Sequence, residues 1–115
     1  MSNYYIKTKN IFGVNVIFTE KQREEKMLKH PELRQESFAD RIKKTIENPD
    51  FIYQDLSDKR RSVYYSREYA IDSKIVYTKI ILKNGNKECF VITAYRPDYV
   101  KERSKTKLLY GKDNE

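Results

Sequence analysis

The sequence predicts an α+β domain: an antiparallel sheet of about four strands with one or two helices packed on one face, plus a short N-terminal strand pair. Three observations carry that expectation. Phe38, Ile42 and Ile46 recur every four residues and give one helix a single apolar stripe. Four runs rich in β-branched and aromatic residues follow, at 51–54, 61–67, 74–82 and 88–95. Between the last two, Asn84-Gly85-Asn86 is a hairpin signal. A chain of 115 residues has room for one modest core, so 1–115 reads as a single domain, its core at about 12–96 and a polar tail over 101–115.

In order along the chain, 4–9 and 12–18 are short strands separated by a turn around Asn10 and Gly13. Thr19 then reads as an N-cap, and Gln22 three residues later completes a capping box. The helix from Glu20 to about Lys29 is charged until Met27 and Leu28, so it is expected to touch the body only at its end. Pro31 suits the first turn of a new helix and biases His30 away from helical geometry. His30, the sole histidine, therefore stands at a junction of two helices. Asn48-Pro49-Asp50 stops the apolar-striped helix. In the strand over 74–82, Val76, Thr78, Ile80 and Leu82 share a face, with Tyr77 and Lys79 opposite. Alternation in the last strand puts Phe90, Ile92 and Ala94 on the helix-covered face and Cys89, Val91, Thr93 and Tyr95 on the open one. Leu108, Leu109 and Tyr110 offer a late docking point, and 111–115 is left without structure.

Charge narrows the function classes. Lys and Arg number 24 against 17 Asp and Glu, a net charge of +7, which favours polyanions such as RNA. One cysteine excludes an internal disulfide, and one histidine cannot build a common zinc site; no metal and no cofactor are expected. No apolar run approaches the roughly 18 residues of a membrane span, and no signal-peptide core is seen, so no membrane partner is expected and the location reads as cytoplasmic. Ten tyrosines can stack on bases, although tyrosine is also an ordinary strand residue.

His30-Pro31-Glu32, Ile46-Glu47-Asn48-Pro49-Asp50, Arg61 before Tyr64-Tyr65, and Thr93-Ala94-Tyr95 occur in this order. So arranged, they resemble the barnase–EndoU–colicin–RelE-like (BECR-fold) nucleases, in the small branch of phages and polymorphic toxins, over about 12–96. The resemblance implies a four-stranded antiparallel sheet with a helix on one face and a concave opposite face that binds RNA. It also implies metal-independent cleavage, with the ribose 2′-hydroxyl attacking phosphorus to leave a 2′,3′-cyclic phosphate. Taken alone, His30 reads first as a hydrogen-bonded residue of the helix junction; the resemblance makes it the proton-transfer group, a task its ordinary pKa suits. Arg61 is expected to grip the scissile phosphate, Thr93 to donate to it, and Tyr95 to stack on a base or orient the phosphate. Arg60, on the opposite strand face from Arg61, and Tyr65 are secondary substrate contacts. No second acid–base group is assigned. The chain thus reads as a toxin-like endoribonuclease, with an antitoxin or immunity protein as a further partner. The rival is a non-catalytic basic RNA-binding module or phage-encoded inhibitor.

Overall fold

The computed structural model describes residues 3–69, 72 and 74–111. Strands β1 (Tyr4–Lys9) and β2 (Asn15–Thr19) lead into helix α1 (Glu20–Lys26), a 3-10 turn at Pro31–Arg34 and helix α2 (Glu36–Glu47). Strands β3 (Phe51–Gln54), β4 (Arg61–Tyr69), β5 (Ile75–Asn84), β6 (Glu88–Tyr95) and β7 (Leu108–Gly111) complete the chain. They form one seven-stranded sheet in the order β1-β2-β6-β5-β4-β3-β7. The α+β class holds, but the expected count of about four strands is too low.

Two additions make up the difference. The N-terminal hairpin joins the main sheet, because Asn15–Ile17 of β2 pairs in parallel with Glu88–Phe90 of β6. The sheet is therefore mixed rather than antiparallel. At the other edge, β7 pairs with β3, so the docking point at Leu108 to Tyr110 is a strand and the folded body runs past residue 96. Residues 112–115 of the expected tail lie outside the described residues.

Local chemistry explains the early elements. Asn10 is buried, and its side-chain oxygen accepts from the backbone N–H groups of Phe12 (3.0 Å) and Val14 (2.9 Å), closing the turn where Gly13 takes φ +81°. Thr19 caps α1 as its sequence position predicts, accepting from the Gln22 N–H at 3.1 Å. Gln22 does not complete the box: its side chain donates instead to the Ile92 carbonyl at 2.5 Å. Together with Arg23, which donates to the Leu33 carbonyl at 3.0 Å and lies over the Tyr5 ring, this docks α1 along its length. The expected end-only contact is corrected accordingly, since polar side chains reach where no apolar one is available.

The striped helix behaves as read. Phe38, Ile42 and Ile46 of α2 are fully buried against Ile80, Leu82, Tyr64, Val91 and Ala94 of the sheet and Val16 and Phe18 of the hairpin. After α2 ends at Asn48, the Asp50 carboxylate accepts from the Arg67 N–H at 2.7 Å and fastens β3 to β4. Among the described residues no helix is long and apolar enough to cross a membrane.

β6 departs from simple alternation. Ile81 pairs with Thr93 but Leu82 pairs with Val91, so Ile92 is an extra residue and the strand changes phase there. Cys89 and Val91 consequently join Ala94 in the helix-side core, while Phe90 is 42% exposed. Thr93 and Tyr95 keep the face assigned from sequence. That second face is not bare. Phe51, Tyr53, Val63, Tyr65 and Tyr77 form a second cluster, capped by Val100. The segment from Pro97 to Lys107 crosses it as a strap, tied down where the Pro97 carbonyl accepts from Tyr77 N–H and the Lys107 carbonyl from Gln54 N–H.

Candidate active site

Pro31 places His30. The chain leaves α1 with His30 N–H bonded to the Lys26 carbonyl at 2.9 Å, then turns through a non-helical His30 (φ −128°, ψ 79°) into the 3-10 turn. Leu33, fully buried, anchors that turn in the core. The half-buried imidazole is thereby delivered to the end of β6, where it lies flat on Tyr95, ring centroids 4.3 Å apart and planes 7° from parallel. Burial pushes the His30 pKa down; Glu32 pulls it up, and the charges of Lys26 and Lys29 push it further down. The net fall below 6.5 leaves a neutral imidazole at pH 7, able to accept a proton.

Behind Tyr95 lies a buried ionic cluster. Lys79, in register with Tyr95, holds its ammonium 5.4 Å from the Tyr95 ring centre and 5.5 Å from that of Tyr65. Its Nζ is 3.2 Å from Glu102 Oε2, and both side chains are at most 4% exposed. The Tyr65 hydroxyl donates to the other oxygen of Glu102. Burial, then the bond to Glu102 and that residue's charge, push the Tyr65 phenol far above its ordinary range. Glu102 thus neutralises Lys79 and uses the Tyr65 hydroxyl, so the phenol of Tyr65 is closed to a substrate in this conformation.

Thr93 lies two residues before Tyr95 on the same face, and its buried hydroxyl has no hydrogen-bond partner among the described residues. Arg61 does not join this group. It is in register with Lys83, whereas Tyr65 is in register with Lys79, so Arg61 sits four residues along β4 from the row of Tyr95, roughly 13 Å at about 3.3 Å per residue. Its Nε stands 3.7 Å from Asp58 Oδ2. Arg60 also turns to Asp58, donating from Nε and Nη2 at 3.3 Å each. The hydrogen bond from Arg60 and the neighbouring positive charges hold the Asp58 carboxyl below its usual range.

Of the six residues named from sequence, the fold therefore brings His30 against Tyr95 with Thr93 alongside, buries Tyr65, and leaves Arg60 and Arg61 at the far end of β4. Residues missed were Lys79, Glu102 and Arg96. Lys79 had a signal, as a lysine on the Tyr77 side of an apolar strand; Glu102 had none, being an acid in a polar stretch. A cavity of about 580 Å³, lined by Tyr53, Arg103, Ser104, Thr106 and Leu108, adjoins the strap and shares no residue with the His30 site. Among the described residues no three His, Cys, Asp or Glu side chains converge as a metal site.

Comparison with protein-family models, with curated proteins and with solved structures gives no match.

Proposed function

We propose that this chain is a metal-independent endoribonuclease of toxin type, with His30 as the proton-transfer group. The observation that carries the reading is the stack of the half-buried His30 imidazole on Tyr95, with Thr93 two residues back along the same strand face. The same His-Pro-Glu and Thr-x-Tyr motifs carry the resemblance to BECR-fold nucleases. In the proposed reaction His30 takes the 2′-hydroxyl proton as O2′ attacks phosphorus. The bond from phosphorus to the 5′ oxygen breaks, the leaving oxygen is protonated from solvent, and a 2′,3′-cyclic phosphate remains. Tyr95 orients the ring of His30, and Thr93 donates to a phosphate oxygen once RNA displaces what covers its hydroxyl. Lys26 and Lys29, near enough to depress the His30 pKa, supply positive potential for the phosphorane. Arg60 and Arg61 hold the RNA backbone further along the sheet, and the +7 charge draws it in.

The test is cleavage of RNA by purified protein in EDTA, with cyclic phosphate ends as product. His30→Ala is expected to lower the rate by about 10²- to 10⁴-fold with the fold intact. Undiminished cleavage by this variant overturns the mechanism. The placement of Arg61 four residues along β4 from the row of Tyr95 favours one second reading, a non-catalytic RNA-binding or inhibitor module. Binding without cleavage, insensitive to His30→Ala and weakened by salt, selects it.

A further inference from the structure

The His30 corner meets the end of the sheet at two points. The His30 ring stacks on Tyr95, and two residues later Glu32 Oε2 accepts from the backbone N–H of Arg96 at 3.2 Å. Two residues of the corner therefore clasp two consecutive residues of the strand end. The receiving end is braced in turn. Arg96 donates to Glu68 Oε2 at 3.0 Å, and Glu68 also receives Arg41 of α2 at 2.5 Å and the Thr78 hydroxyl at 2.7 Å. Burial alone would raise the Glu68 carboxyl, but the bonds from Arg41 and Thr78 and the charges of Arg41 and Arg96 outweigh it and hold it below its usual range. Glu68 thus stays charged and keeps Arg96 in place.

One ring stack is a weak contact and leaves the corner of the chain freedom to shift. A directional hydrogen bond two residues away removes that freedom. We propose that Glu32 is a positioning residue for His30: its carboxylate, bound to the Arg96 amide, holds the corner so that the imidazole lies flat on Tyr95. Its effect on rate rests on the ribonuclease reading; its effect on the ring does not. The charged groups around the imidazole are Lys26, Lys29 and Glu32 of its own corner, with Lys79, balanced by Glu102, behind Tyr95. Glu32 is the group that holds the His30 titration up against burial and the two lysines.

The experiment is NMR of the imidazole C–H signals in the full chain. Wild type, Glu32→Ala and Glu32→Gln are compared, with Tyr95→Ala as the unstacked reference. Glu32→Ala is expected to move these signals from their ring-current-shifted positions toward the Tyr95→Ala values. RNA cleavage should fall by about a hundredfold, the scale of a misplaced catalytic group. Glu32→Gln keeps an oxygen for the Arg96 amide, so the stack persists while His30 titrates at lower pH. Unmoved signals in Glu32→Ala overturn the proposal. Should Glu32→Ala fail to fold, Glu32→Leu, which fills the space but also lacks the acceptor, decides, and unmoved signals in it overturn the proposal. Wild-type protein that cleaves no RNA overturns the ribonuclease reading alone, since the NMR comparison still decides for Glu32.

Discussion

Lys79 and Glu102 show how a charge pair can be structural and still shape a site. Both side chains are almost wholly shielded from water, so each depends on the other and on Tyr65 for compensation. Glu102→Ala strands a buried ammonium and is expected to cost about 3–5 kcal/mol in urea unfolding. Glu102→Ala combined with Lys79→Met should recover much of that loss, because the uncompensated charge is then gone. A double variant as unstable as the single one would mean that the strap, not the pair, carries the stability. Single residues were legible from the sequence where the backbone constrains them. Pro31 put His30 at a bend, and strand alternation put Thr93 and Tyr95 on one face. The Glu102 carboxylate could not be found this way, because its partners lie 23 and 37 residues upstream.

Elements were legible where the chemistry is local. Thr19, Pro31, Asn48-Pro49 and Asn84-Gly85 mark boundaries that the fold keeps to within a few residues. Gly85 is required at its turn: a Cβ there would stand 2.5 Å from the Glu88 carbonyl oxygen. The apolar stripe of α2 predicts its own energetics. Ile42→Ala empties a fully buried position and should destabilise the protein by about 2–5 kcal/mol, measured by urea unfolding. The bulge at Ile92 was not legible, since no residue there breaks the pattern. Its effect was large, turning Cys89 and Val91 inward and Phe90 outward. The carbonyl of that extra residue is the one that Gln22 of α1 holds. One helix and the irregular strand are thereby joined near the site.

At the scale of the whole molecule the fold class was readable and the sheet order was not. Pairing of β2 with β6 joins residues more than seventy positions apart, and alternation within each strand says nothing about which neighbour it takes. The same global burial gives a pH dependence. The folded protein depresses the His30 pKa below the 6.5 of an unfolded chain, so the unfolded state binds this proton first as pH falls. The stabilisation is complete above pH 6.5 and is lost as pH falls through the folded-state value. Urea midpoints for wild type and His30→Gln, compared between about pH 5 and 8, should show wild type losing more stability on acidification. Parallel curves would contradict the burial assigned to this ring. The parallel contact has a further consequence for synthesis. Until Glu88–Phe90 emerges, the N-terminal hairpin has nothing to shield its inner edge, and a chain cut short before that point would expose a ready template for aggregation.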